Sequence, residues 1–362
     1  MSLYKRVYED LKDKKERREE GKYNSIYFPD LPKLNKVIPG IQKGKFIMCT
    51  ASPKVGKTQL TDFMFVYQPL KFLYTNPDSN INIKIFYNSL EISKEAKHRQ
   101  LIAYLLSNSN IYVSPEQMQS VFEDYVLPDS VLYEIEKFEP YFEWFYSKVE
   151  FIDNIRNSFG IYNHVRNYME ATGKYYKKSG EVIPIDLMKQ NRSEYGIQVD
   201  RYEQNNKDEY VIVITDHISL LTPQRDEGSV HAAINNFSND YCLSMRDRYN
   251  CTVVNVHQQV ATKEELKFDS SGKTMVDSLR PSVDGLADSK YDSKDVNLML
   301  GLFAPVRYKL KQYNGYDITK LGDNYRELMI ILNRDGGGFI NLDLGFNGAC
   351  SKFWELPPPN KI

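Results

Sequence analysis

Cysteine is scarce: Cys49, Cys242, Cys251 and Cys350 stand far apart in 362 residues, with no Cys-x-x-Cys pair. That argues against a zinc site or a disulfide framework and fits a reducing compartment. Long apolar runs are also missing, since no stretch reaches about 18 residues. The opening MSLYKRVYEDLKDKKERREEGK has no apolar core of the signal-peptide kind. The expectation is a soluble, cytoplasmic protein with no membrane partner. Neither sign of charge is in excess, because 47 Lys and Arg face 48 Asp and Glu and leave a net charge of −1. There is thus no global pull toward nucleic acid or an anionic surface, and any such binding has to be local. No internal repeat is visible.

What is present is a rhythm of short apolar runs separated by helical segments. The runs are KFIMCT, INIKIFYNSL, KVEFIDN, YVIVITD, CTVVNVHQQ, VNLMLGLF and ELMIILNR. Continuous runs of this kind predict strands buried on both faces, as in a parallel sheet with helices between strands. The fold expected is therefore α/β, an open, mostly parallel twisted sheet flanked by helices, in one large domain over residues 23–356. Residues 102–147 read as helices with long loops. Residues 172–208 are polar and predict a hairpin-bearing surface insertion. Residues 260–285, rich in Ser, Lys and Asp, predict a loop, and 357–362 a proline-rich tail. Residues 3–21 are densely charged with Leu3, Tyr4, Val7, Tyr8 and Leu11 at helical spacing. Two readings stay open there: a helix packed on its own domain, or an arm that docks on a partner.

The stretch FIMCTASPKVGKTQL carries the chemistry. Ala51-Ser52-Pro53-Lys54-Val55-Gly56-Lys57-Thr58 matches the phosphate-loop pattern except for Ala at the first glycine, with Gln59 opening the following helix. Such a loop needs a strand before it and a helix after it. It also needs backbone amides that cradle phosphate, a lysine for the β and γ phosphates, and a hydroxyl for Mg²⁺. KFIMCT and QLTDFMFVYQ supply that context. A carboxylate on a neighbouring strand is the usual support for the metal, and YVIVITD delivers Asp216 at its end. Hydrolysis further needs a group that orients water, and INIKIFYNSL is followed at once by Glu91. Spacing alone leaves Glu91 open to a capping or surface role.

These residues, in this order, resemble the C-terminal RecA-fold ATPase domain of DnaB-like replicative helicases. PGIQKGKFIMCTASPKVGKT is similar to that family's glycine-preceded strand and its Ala-x-Pro phosphate loop. NSLEIS resembles its Ser-Leu-Glu-Met-Ser motif, VITDHISLL its Ile-Asp-Tyr-Leu-Gln-Leu motif, and VVNVHQQ its strand ending in Ser-Gln. RPSVDGLADSKYDSKDVNLML looks like its Arg-Pro segment, and LMIILNRDGGG like its Lys-Gln-Arg-Asn-Gly turn. The likeness spans roughly residues 22–356. It implies an ATP- and Mg²⁺-dependent P-loop ATPase in which Ser52 through Gln59 hold nucleotide and Thr58 and Asp216 serve the metal. It further implies that Glu91 polarises the attacking water, Gln258 senses the γ-phosphate, and Arg334 reaches the site of an adjacent subunit as an arginine finger. That last role requires oligomerisation, and the resemblance implies a homo-oligomeric ring of six, with single-stranded DNA in its channel and a primase or loader as further partners. The segment before residue 22 stands where the family has a linker helix. The reading is of a compact, phage-type form without the family's N-terminal domain.

Departures from the pattern bear on rate. Leu332 stands where the family has a second trans-acting lysine, His217 replaces Tyr, His257 replaces Ser, and Ala287-Asp288-Ser289-Lys290 replaces Arg-Glu-Ser-Gly. Candidate DNA contacts are Lys263, Lys267, Lys273 and Arg280 in the 260–285 loop and Arg225 after Asp216, although Glu264, Glu265, Asp269, Asp277 and Asp284 offset the loop cations. Two other functions fit the same residues: a recombination or regulatory ATPase of RecA or KaiC type, and an ATP-binding structural or loading subunit that turns over weakly.

Overall fold

A computed structural model describes residues 3–190, 199–260, 275–286, 291–336 and 338–361. In chain order the strands are β1 (Phe46–Ala51), β2 (Asn82–Ser89), β3 (Val149–Ile152), β4 (Gly173–Tyr176), β5 (Val182–Ile183), β6 (Arg201–Gln204) and β7 (Glu209–Asp216). They continue as β8 (Thr252–Gln258), β9 (Leu298–Phe303), β10 (Gln312–Tyr313), β11 (Tyr316–Asp317), β12 (Tyr325–Asn333), β13 (Asn341–Asn347) and β14 (Lys352–Glu355). Among the described residues, nine of these form one sheet in the order β14-β13-β12-β9-β1-β8-β7-β2-β3. From β9 through β3 neighbouring strands are parallel.

The seven apolar runs are the strands β1, β2, β3, β7, β8, β9 and β12. Every residue of β1, β7 and β9 is buried, because helices cover both faces and leave no side of the strand to water. Alternate side chains of β1 feed two separate cores. Ile47, Cys49 and Ala51 join Phe63, Phe65 and Leu70 on one face, while Phe46 and Met48 join Phe237 and Met245 on the other.

One run corrects the parallel expectation. β12 is antiparallel to β9, as are β13 to β12 and β14 to β13. The link from β9 to β12 holds short turns, the β10–β11 hairpin and the four-residue helix Ile318–Leu321, too little for a parallel crossover, and the chain returns antiparallel. β13 and β14 give no continuous apolar run, since they are short strands toward a sheet edge. Their pairing depends on Gly345, where a Cβ would stand 2.0 Å from the Trp354 ring.

Residues 173–204 contain a three-stranded antiparallel sheet, β5-β4-β6. It is pinned to the second core by Tyr175, whose hydroxyl shares a 2.7 Å hydrogen bond with that of Tyr249. The helix Leu3–Glu19 buries none of its residues. Two ion pairs hold it to the body, Arg6 with Asp200 and Arg17 with Asp208. Leu3, Tyr4, Val7, Tyr8 and Leu11 all remain exposed.

Candidate nucleotide site

The loop after β1 is shaped by its own backbone and held from behind. Lys54 and Gly56 have φ of 59° and 104°, and at Gly56 a Cβ would press to 3.3 Å of both Gln59 Oε1 and the Phe346 ring, so glycine is required there. The helix starts at once, with Leu60 N donating to Gly56 O at 2.8 Å. Arg326 Nε donates to Val55 O at 2.7 Å while its guanidinium lies 4.4 Å from the Phe346 ring centre. Arg307 donates to Pro53 O, and Gln59 Nε2 donates to Gly348 O at 2.6 Å. The carbonyl side of the loop is thus clamped onto β12 and the turn after β9, and the helix that follows the loop is tied to the segment after β13.

Four expected residues converge at the carboxyl ends of the parallel strands, the usual ligand edge of an open α/β sheet. Lys57 Nζ stands 3.5 Å from Gln258 Oε1 at the end of β8. Thr58 Oγ1 donates to Asp216 Oδ1 at 3.2 Å, from the phosphate-loop helix to the end of β7. That pair, a hydroxyl and a carboxylate beside the loop, is the hard-oxygen set that Mg²⁺ takes when waters and nucleotide phosphates complete its shell. The residues present therefore fit the ion.

Glu91, two residues past β2, is half-exposed, and His217 Nε2 lies 3.8 Å from its Oε2. The Asp216–His217 peptide is cis. His257 is buried and its Nδ1 meets Gln258 O at 2.9 Å. Behind Asp216 lies a buried polar cluster. Lys97 Nζ sits 2.9 Å from both Asp62 oxygens and 2.6 Å from Tyr87 Oη, and Tyr87 donates to Asp216 Oδ2 at 3.1 Å. Burial raises the Asp62 carboxyl above its ordinary pKa, with Asp216 adding to the effect and Lys97 opposing it.

Arg334 is elsewhere. Its N–H donates to Asn297 O, next to the start of β1, because β12 runs against β1 and β9 and ends where they begin. It is exposed and, at roughly 3.3 Å per strand residue, about 20 Å from the phosphate loop of its own chain. Leu332 follows a register shift in β12 and packs against the second core.

The candidate DNA contacts divide three ways. Lys263, Lys267 and Lys273, like Ala287 to Lys290, lie outside the described residues. Arg225 is exposed in a turn. Arg280 is withdrawn as a DNA contact: its guanidinium bonds to Tyr313 Oη at 2.6 Å and pairs at 3.3 Å with Glu327, which is fully buried. A cation that neutralises a buried carboxylate is not spare for phosphate.

Four contributors escape sequence reasoning: Arg326, Arg307, Gln259 and Lys97. Arg326 precedes an apolar run and looks like a surface residue, and Lys97 lies in a charged helix start. Gln259 bonds to Thr50 Oγ1 at 2.9 Å and Ser282 O at 3.1 Å, tying β1 to the segment that returns after residue 275. The doubled glutamine at 258–259 was its only signal.

No family model and no curated protein sequence matches the chain. Among solved structures it is similar to one described as the ATPase domain of G40P, at 18% identity over 97% of this chain and 96% of that one, with a TM-score of 0.63. It is equally similar to a DnaB-like replicative helicase solved in a study of its interactions with primase, at 18% identity over 98% of this chain and 68% of that one, TM-score 0.63. At such identity the likeness speaks for the fold: this chain has the RecA-like fold seen in the ATPase domains of DnaB-like helicases.

Proposed function

We propose that the chain is an ATP-driven DNA helicase of the DnaB-like type, hydrolysing ATP between subunits of a ring and moving on single-stranded DNA during replication. One observation carries the reading, the division of the expected machinery between two ends of the sheet. Lys57, Thr58, Asp216, Glu91 and Gln258 gather at one end, whereas Arg334 projects from the other. A second copy, set head to tail, would supply the missing cation, and repetition of that contact closes a ring. In this reading Lys57 and the loop amides hold the phosphates, and Glu91 orients water. Gln258 bonds to whatever occupies the γ position, and Arg334 of a neighbour stabilises charge in the transition state. Bound Mg²⁺, held through Thr58 and Asp216, would neutralise phosphate charge. A primase or a loader is the expected protein partner.

The test is ATP turnover with and without single-stranded DNA, beside direct nucleotide binding. DNA should accelerate the wild type, Lys57→Ala should lose nucleotide, and Glu91→Gln should bind it but hydrolyse at least about 100-fold more slowly. Equal binding by Lys57→Ala, or equal turnover by Glu91→Gln, sinks the reading. Leu332 favours a second reading, an ATP-binding subunit with weak turnover, since an apolar side chain packed on the core replaces a cation. Tight nucleotide binding with only a trace of DNA-independent turnover would select it.

A further inference from the structure

Asp216 is gripped by both carboxylate oxygens, and each grip leads to a different place. Oδ1 faces Thr58 at 3.2 Å. Oδ2 accepts from Tyr87 Oη at 3.1 Å and lies 3.6 Å from Lys97 Nζ. Lys97 is itself fixed from two sides, by both oxygens of Asp62 and by the Tyr87 hydroxyl. The side chains of Lys97, Asp62 and Asp216 are 2%, 2% and 1% exposed, so these charges interact with little screening by water.

The elements explain the placement. Asp62 ends the first helical segment after the phosphate loop, Lys57–Asp62. Lys97 lies in the first turn of the helix Lys94–Asn108, which Ser93 caps by accepting from Ala96 N. Tyr87 comes from β2, beside β7 in register.

A purely structural role is a poor account of this cluster. An isolated buried ion pair is no better for stability than two packed apolar side chains, since desolvation offsets the attraction. Here the cation also reaches the carboxylate that faces the phosphate-loop threonine, and Tyr87 bridges the two with a hydrogen bond in each direction. Outer partners of this kind orient the carboxylates they touch and tune metal affinity.

We propose that Lys97, with Asp62 as counter-ion and Tyr87 as bridge, is a positioning residue that holds Asp216 with Oδ1 toward Thr58 and thereby sets how readily the site takes Mg²⁺ together with nucleotide. This rests on the nucleotide-site reading above. Asp62 and Lys97 carry opposite charges, so removing both leaves the net charge of the cluster unchanged while it takes away the grip on Asp216. The double variant Asp62→Leu/Lys97→Met therefore separates orientation from charge. Tyr87→Phe, which deletes one hydroxyl, is the second and gentler variant should the first fold poorly.

The experiment titrates a fluorescent ATP analogue against the full chain at a series of free Mg²⁺ concentrations, with one arm in EDTA. Both variants should need about tenfold more Mg²⁺ for half-maximal binding while keeping the wild-type affinity in EDTA. Val165→Ala, a remote truncation in the second core, should lower thermal stability and leave the Mg²⁺ half-point in place. If wild type binds the analogue and the Mg²⁺ half-points of both cluster variants stay within about twofold of it, this inference fails alone. If wild type binds no nucleotide with or without Mg²⁺, the site reading fails and carries this inference with it.

Discussion

Arg326 is the largest of the fully buried side chains, 1% exposed, and its polar contacts join the phosphate loop to the turn that leads into β12. Nε meets Val55 O, Nη1 meets Asp323 O and Tyr325 O, and Nη2 meets Asp323 Oδ1. Replacing it with Met keeps bulk against Phe346 but orphans the Val55 carbonyl, so Arg326→Met should cost about 2–4 kcal/mol by chemical denaturation. It should also weaken binding of an ATP analogue. Arg280→Met makes the contrasting case. It strands the buried Glu327 charge and should cost about 3–5 kcal/mol, yet single-stranded DNA affinity, read by fluorescence anisotropy, should stay at the wild-type level. At this scale Lys57 and Thr58 were legible from the loop motif and Asp216 from its place at the end of an apolar run, whereas Glu91 was legible only through the family resemblance. Arg326, Gln259 and Lys97 were not, because each acts on a segment far away in the chain.

At the scale of elements, the continuous apolar runs betray strands covered on both faces, and those strands carry the site. The edge strands β13 and β14 hide because their pattern is mixed, and β12 reveals its presence but not its direction. The N-terminal helix has the opposite character. It contributes no buried residue, and its two partly exposed ion pairs with Asp200 and Asp208 are each worth about 0–1 kcal/mol. Deleting residues 1–21 should therefore shift the thermal midpoint of the monomeric fold by no more than about 3 °C. If its exposed apolar stripe covers a neighbouring copy, the same deletion should lower the mass seen by light scattering with nucleotide present. An unchanged assembly state returns the helix to its own subunit.

At the scale of the whole molecule, the sheet sets Lys57 and Arg334 about 20 Å apart along the strand direction, which no side chain spans. Complementation tests whether that gap is closed between chains. Lys57→Ala and Arg334→Ala should each be inactive alone. Mixed in equal amounts before assembly, they should recover turnover at about a quarter of the sites, those where an intact loop meets an intact arginine. Turnover in the mixture no greater than the sum of the two separate samples would rule out Arg334 acting on a neighbour's site.

The sequence by itself determined the phosphate loop, the strands that bear it and the place of Asp216 at a strand end, because these depend on local order: an apolar run, a tight turn, a helix start. Tertiary structure alone decided which end of the sheet each residue occupies, which arginines brace the loop, that Arg280 serves a buried glutamate, and that Lys97 stands behind Asp216. Those facts follow from strand direction and from which side chains share a dry interior, and neither is written in any single stretch of chain.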